Sequence, residues 1–557
     1  MYVLKSLLYG GMTKSIEYIT IYIYNIVGGK NMKKTIIRIS ITLVSSLLLF
    51  YLMLPAINMH DISFWIYLLI VFIIFFVSGI IDFHINNFPV INKKMMYISF
   101  SIGFVFLVLV IINVFNSPLF NAKSYYSRIK IKEETNFLND VKEVDFDSLP
   151  LLDKDSSEKL GDRVMGQMKD LVSQFEVSDL YTQINYNNKI IRVTPLEYAN
   201  ILKWFTNRKN GTKGYITVDS VTGEAKLTKL KNGMKYMPSA LFNKNLYRHL
   251  RFKYPTLIFD DANFELDNDG NPFWIVPTIK YTGIGLKEEI TGVIIVNPIN
   301  GRTKKYKLSE IPSWIDHVFP ARLIIEQVND WGKYKNGYFN SIFSQKNVVA
   351  TTDGYNYLLM DDDVYLYTGI TSVNNDESNL GFILANMRTK ETKFYEVPGA
   401  EEYSAMDSAK GAVQQMKYEP TFPLLINLNN RPTYLMSLKD NAGLVKMYAF
   451  VDVQDYQKVV VTDSSLGIKE AAKNYLLNSN FKIDEKLLNT KEITIKKIND
   501  YVIDGTTYFY ITDTENNKYR ASIKIDDSLP FISSGSKITI TFKKQNNITE
   551  ISKIAYK

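Results

Sequence analysis

The chain has 557 residues, a net charge of +8 and a pI near 8.9, and it contains no cysteine. The lack of cysteine excludes disulfides, thiolate metal sites and cysteine nucleophiles. The positive charge is weaker than the clustered basic face expected of a nucleic-acid-binding protein, and the length predicts several domains.

The first 31 residues are expected to be a wrongly assigned leader. Gly28–Asn31 precedes Met32, and codons for these four residues can read as a bacterial ribosome-binding site just before a start codon. We therefore expect the protein to start at Met32 and exclude residues 1–31 from fold reasoning. The alternative is a real extension in which the apolar Ile16–Val27 forms an interfacial segment.

Three uncharged apolar segments come next, over residues 39–57, 62–81 and 95–115. Each has close to the roughly 20 residues that a helix needs to cross a bilayer. We therefore predict a three-span transmembrane anchor over residues 32–116, in the plasma membrane, with the lipid bilayer as a partner. Lys93 and Lys94 place the second loop in the cytoplasm and the C-terminal region outside, whereas the basic residues between Lys123 and Lys132 favour the opposite orientation.

The remainder is predicted to be an α+β soluble region. Residues 117–205 are interpreted as a stalk and helical region, in which Ser156–Phe175 has helical spacing. Arg192–Tyr198 is interpreted as the end of a strand that turns into a helix carrying Trp204.

An internal repeat is the most informative feature of this region. GYITVDSVTGEAKLTKL from Gly214, GVIIVNPINGRTKKYKL from Gly292 and GFILANMRTKETKFYEV from Gly381 align without a gap. Each predicts a hairpin whose turn begins at Asp or Asn, and glycine supplies the positive φ of the first two turns. Lys390 replaces that glycine in the third, so a slightly different turn is expected there.

Helix-like segments and further hairpins recur around these three turns. The predicted unit is one helix with about four antiparallel strands. It occurs twice in residues 206–310, once after a linker in residues 311–400 and once more in residues 401–465.

The hairpin from Val218 to Glu224 resembles the PepSY-type domain, a helix-plus-sheet module of bacterial envelope proteins and protease propeptides. This resemblance covers Gly214–Val461 and implies a bacterial envelope protein. The region as a whole also resembles multi-span membrane proteins of Gram-positive bacteria, a resemblance that implies no activity.

The C-terminal part differs from the repeats. Residues 466–490 predict a helix and a linker. Residues 491–557 predict five strands with a hairpin turn at Asp504-Gly505, and the number and spacing of the strands suggest an all-β, OB-like barrel.

No catalytic, cofactor-binding or metal site is expected. Asp267–Asn271 resembles the start of a calcium loop, but Thr278 stands where the closing Glu is required, so a turn is predicted. Asp361–Asp363 is interpreted in the same way, and His317 is interpreted as part of a hydrogen-bonded core cluster. His249 lies on a basic helix face, which we interpret as surface.

The segment WGKYKNGYFNSIF interleaves aromatic residues with lysines and is the candidate contact surface. Its possible partner-contact residues are Trp331, Lys333, Tyr334, Tyr338 and Phe339. The alternative is that this segment is a packing bridge between two repeats.

These features predict a non-enzymatic, membrane-anchored cell-envelope protein whose soluble modules bind or regulate a protein or cell-wall partner, with no cofactor. One alternative is a membrane-tethered hydrolase or protease modulator that uses acids such as Asp260. Convergent buried carboxylates would favour it. A second alternative is a cytoplasmic-facing protein whose OB-like tail binds nucleic acid.

Overall fold

A computed structural model describes residues 29–81, 93–133, 135–146, 149–360, 362–373, 378–479, 489–503, 506–542 and 549–556. Several sequence predictions fall outside these residues. They are most of the expected leader, the loop 82–92, Asp361, the linker residues 480–488 and the turn 504–505.

The N-terminal elements pack against a later part of the chain. They are α1 (Gly29–Met53), α2 (Ile62–Ile81), α3 (Lys93–Asn116), α4 (Pro118–Tyr126), β1 (Ile131–Lys132) and α5 (Phe137–Asp140). After α1, the Leu54 carbonyl accepts a 2.9 Å hydrogen bond from Arg251 Nε, and the Ile57 amide donates to the Pro255 carbonyl over 2.8 Å.

The predicted three-span anchor is wrong. Among the described residues, no single helix is both long and apolar enough to cross a membrane. Shorter apolar helices cover Arg38–Met53 and Ile62–Val77. Phe100–Asn116 and Pro118–Tyr126 are together long and apolar enough, but the two are bent by 46° relative to each other.

Four repeated sheet units, here called modules one to four, follow within the described residues. Module one consists of α6 (Lys154–Gly166), β2 (Phe175–Val177), β3 (Thr182–Tyr186), β4 (Lys189–Tyr198), α7 (Ile201–Asn207), β5 (Thr212–Asp219) and β6 (Ala225–Met234). Its sheet has the order β2-β4-β5-β6, and β3 pairs with β4. Module one therefore begins inside the region that the sequence suggested was a stalk.

Module two repeats this order as β7-β9-β10-β11, with β8 paired to β9. Its elements are α8 (Leu246–Lys253), β7 (Ile258–Phe259), β8 (Asn263–Leu266), β9 (Pro272–Thr282), β10 (Leu286–Val296) and β11 (Thr303–Lys307).

Module three has the order β12-β14-β15-β16, with β13 paired to β14. Its elements are α9 (Ala321–Tyr334), β12 (Val349–Thr351), β13 (Asn356–Met360), β14 (Asp363–Ser372), β15 (Ser378–Asn386), β16 (Thr392–Tyr395) and β17 (Gly399–Ala400). β17 pairs with β15, and β1 extends the sheet by pairing in parallel with β16.

Module four has the order β18-β20-β21-β22, with β19 paired to β20. Its elements are α10 (Glu402–Ala412), β18 (Glu419–Pro420), β19 (Leu424–Asn427), β20 (Pro432–Lys439), β21 (Val445–Asp452) and β22 (Val459–Asp463). Each module thus begins with a helix and places a short hairpin strand beside the same long strand.

The three aligned turns share one hydrogen-bonding pattern. The Oδ1 atoms of Asp219, Asn297 and Asn386 each accept bonds from the amides two and three positions later. Lys390 has a φ of 63°, in the same left-handed region as Gly301 at 75°. The third turn is therefore not a different type, and the Lys390 Nζ donates to the Arg128 carbonyl over 2.9 Å.

Neighbouring modules share hydrophobic cores. One core joins module one to module two and includes Val193 and Trp274. A second joins module two to module three around Ile324 of α9. A third joins modules three and four to α11 (Ile468–Asn478), with Tyr434 at its centre. The cores make the modules one continuous body, because each hydrophobic face is covered by the next unit.

A closed five-stranded barrel follows α11. Its strands are β23 (Asn489–Ile503), β24 (Thr506–Asp513), β25 (Lys518–Ser522), β26 (Lys537–Phe542) and β27 (Thr549–Tyr556). They close in the order β23-β24-β25-β27-β26, with β25 and β27 parallel. Arg520 of the barrel contacts Glu470 of α11 at 3.4 Å.

Candidate functional site

A cavity of about 400 Å³ lies where modules one, three and four meet the segment 149–153, and it is called the Arg192 cavity below. Its lining residues come from this segment and all three modules: Pro150, Leu151, Leu152, Asp153, Lys154, Tyr181, Arg192, Tyr355, Asn356, Tyr357, Thr421, Phe422, Leu424, Leu435, Met436 and Ser437.

Arg192 lies at the centre of the module one sheet. It is opposite Gln183 of β3 and Val218 of β5. Because neighbouring strand residues point to opposite faces, Ile191 and Val193 enter the core shared with module two, while Arg192 faces the other way. The alternation of β4 therefore brings a charged side chain into the cavity.

The guanidinium of Arg192 has no ion-pair partner among the residues that the structure describes. The residue is 8% exposed, and its Nε atom is buried with no hydrogen-bond partner among the described residues. In the part of the chain that the structure describes, no carboxylate oxygen lies within 4.0 Å of a side-chain nitrogen of Arg192, the distance that defines an ion pair. Burial lowers the Arg192 pKa, although nearby Asp153 opposes that effect. Leaving a buried charge uncompensated costs several kcal/mol, roughly the stability of a small domain.

Asp153, on the cavity wall, already forms an ion pair with another residue, Lys439. Its Oδ2 binds Lys439 Nζ, and its Oδ1 caps α6 by accepting a 3.0 Å bond from the Ser156 amide. Burial alone would raise the Asp153 pKa, but the hydrogen bonds from Lys439 and Ser156 outweigh burial and lower it. Asp153 is therefore a fixed carboxylate and a poor general acid.

Tyrosines supply most of the hydroxyl groups of the cavity. The Tyr181 hydroxyl is buried without a hydrogen-bond partner in the described residues, and a Cβ atom at Gly161 would lie 2.0 Å from it. Tyr357 packs edge-on against His317 with ring centroids 5.6 Å apart. Burial raises the pKa of both Tyr181 and Tyr357, so both remain neutral and can donate.

Module four contributes an apolar wall to the cavity. Leu424, Leu435 and Met436 are at most 4% exposed, and half-buried Phe422 completes the wall. A cavity of this size with an apolar wall and a few convergent polar groups has the form of a small-molecule site.

The candidate contact residues lie elsewhere and are split between the interior and the surface. Trp331 and Tyr334 are 6% and 7% exposed, and Trp331 packs against Phe394 with ring centroids 6.2 Å apart. Phe339 is 64% exposed and stacks on Phe343 at 6.3 Å.

The other two candidate contact residues also lie outside the Arg192 cavity. Lys333 is exposed, with its Nζ 5.6 Å from the Tyr334 ring centroid, and Tyr338 is half-buried. None of the five candidates lines the Arg192 cavity.

Two buried carboxylates do converge at the centre of the molecule. Glu265 accepts backbone hydrogen bonds from Asp316 (2.9 Å) and His317 (3.1 Å). Glu265 and Asp316 are 0% and 2% exposed, so no substrate can reach them. Asp260, the acid considered from the sequence, instead binds Arg322 at 3.1 Å.

His249 and His317 each lie within hydrogen-bond distance of a backbone carbonyl. His317 Nε2 lies 2.6 Å from the Gln183 carbonyl, and burial lowers its pKa to about 4. His249 Nε2 lies 2.8 Å from the Gly301 carbonyl. Both rings are therefore engaged in holding segments together.

The calcium-like segment forms the turn between β8 and β9. Asp267 Oδ1 accepts bonds from the amides of Asp269 (3.0 Å) and Asn271 (2.8 Å). Over the described residues, no group of three or more metal-binding side chains comes together.

Arg192 was not predicted from the sequence as a candidate site residue. The feature of the sequence that could have identified it is a single charged residue beside the apolar Ile190, Ile191 and Val193. A lone charge in an apolar strand is expensive to bury and therefore marks a candidate site.

The fold and the cavity define a tandem-module α+β chain with a ligand-sized space between modules. No family model and no curated protein matches the chain. Among solved structures, a levansucrase variant from B. megaterium is similar at 8% identity over 75% of this chain and 98% of that one, with a TM-score of 0.17. An ACO/RPE65 chimera is similar at 6% identity over 68% and 64% of the two chains, with a TM-score of 0.13. Such scores do not indicate a shared fold.

Proposed function

We propose that this protein is a non-enzymatic binding protein and that its partner is a small molecule held in the Arg192 cavity. The observation that carries the proposal is the cavity itself, whose walls come from three different modules. A single module could not form this cavity, so the cavity depends on the tandem arrangement of the modules.

The chemistry of the lining favours binding over catalysis. Arg192 is cationic, Asp153 is held as a carboxylate by Lys439, and burial keeps Tyr181 and Tyr357 protonated. None of these groups has a pKa matched to proton transfer near neutral pH, which general acid–base catalysis requires.

Methyl NMR of the full chain tests this proposal. Met436 lines the cavity and is 2% exposed, so a ¹³C-methyl label on methionine reports on it directly. The Met436→Leu variant assigns its signal, because this exchange nearly conserves volume. We expect members of a library of small polar and apolar compounds to shift the Met436 signal.

A filled cavity provides the matched control. Leu151→Trp places a large ring at the half-buried edge of the cavity and should abolish the shift. Val144→Trp makes a similar change at a half-buried position outside the Arg192 cavity and should leave it intact. The methyl signal of Met165, in the core of module one, checks folding in both variants. No shift with any compound, equal shifts in Leu151→Trp, or conversion of a bound compound to product would contradict the proposal.

A further inference from the structure

Resting on the binding function above, we propose that the ligand of the Arg192 cavity is a small monocarboxylate whose carboxylate group binds the guanidinium of Arg192. Arg192 is nine-tenths buried and has no ion pair among the described residues. A ligand anion provides the missing counter-charge.

The charges around the cavity favour a single negative charge on the ligand. Lys439 is paired with Asp153, and Lys154 pairs with Glu158 at 3.4 Å while its side chain is 50% exposed. Of the basic residues that line the cavity, Arg192 is thus the one with no ion pair among the described residues. A phosphate dianion would need more donors and would face the carboxylates of Asp153 and Asp155, which already act on Arg192 electrostatically.

The shape of the guanidinium agrees with this assignment. Its planar fork of N–H donors matches the two oxygens of a carboxylate, and such charge-assisted pairs are about twice as strong as neutral hydrogen bonds. The neutral hydroxyl of Tyr181 adds a second unpartnered donor to the lining.

The apolar wall of the cavity selects the rest of the ligand. Leu424, Leu435 and Met436 are apolar, and Phe422 and Tyr357 add aromatic surface. A compact apolar or aromatic body attached to the carboxylate fits a volume of about 400 Å³. Phenylacetate combines both features and is the probe used below.

The first experiment compares phenylacetate with phenylacetamide on the unaltered full-length protein, by titration of the Met436 methyl signal. The two probes have nearly the same shape and differ in charge. We expect phenylacetate to bind at least about tenfold more tightly, because a charge-assisted pair with a buried partner contributes more than a neutral one. Equal affinities would overturn the carboxylate assignment.

The second experiment removes the cation. Arg192→Met should weaken phenylacetate binding by about tenfold or more and leave phenylacetamide binding within about twofold. It should also keep the fold, because replacing an uncompensated buried charge by an apolar side chain of similar length is neutral or stabilising. Lys229→Met is the matched control and should change phenylacetate affinity by less than about twofold. This lysine does not line the cavity, its side chain is 55% exposed, and it is paired with Asp170 at 3.1 Å.

The outcomes separate this inference from the proposed function. If both probes bind equally and Leu151→Trp blocks both, the cavity binds small molecules and the carboxylate assignment is wrong. If inorganic phosphate binds more tightly than phenylacetate, the monocarboxylate assignment is also wrong. If Arg192→Met does not fold, the comparison of the two probes on the unaltered protein still decides.

Discussion

Glu265 and Asp316 are neighbouring carboxyl residues in the interior, and Glu265 Oε2 accepts a 2.9 Å hydrogen bond from the Asp316 amide. Asp316 Oδ2 in turn accepts a 2.7 Å bond from the amide of Asn185 in module one. Glu265 belongs to module two, so the pair joins two modules. Burial raises the pKa of both carboxyls, and Glu265 raises that of Asp316 further.

This pair predicts that Asp316→Asn becomes more stabilising as the pH rises. In the unfolded chain these carboxyls ionise near their ordinary pKa values of 4.5 and 3.8, whereas the folded protein keeps its protons to higher pH. The folded state therefore binds more protons above about pH 4, and the free energy of unfolding falls as the pH rises through the raised pKa values. We expect the variant to gain about 1–3 kcal/mol over the parent between pH 5 and pH 8.

Urea denaturation at both pH values measures this difference. Burial lowers the pKa of His317, so below its ordinary pKa this residue makes the free energy of unfolding rise with pH. His317 is present in both proteins, and its contribution cancels in the comparison. The Asp363–Arg388 ion pair is likewise common to both. A stability difference that does not change with pH would show that the carboxyl pair ionises normally.

The buried ion pairs of Arg128 predict a large loss of stability when the charge of this residue is removed. Its side chain is 1% exposed and binds Glu326 and Asp330 of α9. Arg128→Met leaves Asp330 without its ion-pair partner and Glu326 with only its 3.9 Å contact to Arg322, and it should cost about 3–5 kcal/mol. Because burial raises the Asp330 pKa to about 6, this carboxyl can take up a proton, so the loss should be smaller at pH 5 than at pH 8.

The control for Arg128 is Lys132→Met. Lys132 also binds a carboxylate, Glu391, but its side chain is 64% exposed. Its loss should change the free energy of unfolding by less than about 0.5 kcal/mol. Similar losses in the two variants, measured by chemical denaturation, would mean that burial does not control the strength of these pairs.

Local hydrogen bonds explain why the repeats could be predicted from the sequence. The turns at Asp219 and Asn297 are closed by bonds to amides two and three positions later, so a short motif specifies them. The Arg192 cavity could not be predicted in this way. Asp153, which lines the cavity, binds Lys439, which is 286 positions away, and their proximity depends on how the modules pack.

Composition alone also misled the prediction of the N-terminal helices. Apolar content predicts burial or lipid contact equally well, and it does not reveal that the chain bends by 46° at Ser117, between Phe100–Asn116 and Pro118–Tyr126. The PepSY-type and OB-type resemblances stay predictions, because neither rests on a matched family.

Substitutions of Trp331 and Phe343 distinguish a packing role of the segment 331–343 from a partner-contact role. Trp331 is 6% exposed in the core between modules two and three, whereas Phe343 is 79% exposed. Trp331→Ala should cost about 3–5 kcal/mol, and Phe343→Ala should stay within about 0.5 kcal/mol. Urea midpoints measure both, and a stable Trp331→Ala variant would contradict the packing role.

The equivalent turns allow backbone strain to be separated from steric clash. Gly223 and Gly301 both have a φ of 75°, so an alanine at either position pays about 1 kcal/mol of left-handed strain. A Cβ at Gly223 would meet the Leu152 side chain at 3.4 Å, whereas one at Gly301 would lie 2.3 Å from the Tyr236 ring. We expect Gly301→Ala to lose about 1–3 kcal/mol more than Gly223→Ala in thermal or urea unfolding, because the ring must move. Equal losses would mean that Tyr236 shifts without cost and that strain alone sets the penalty.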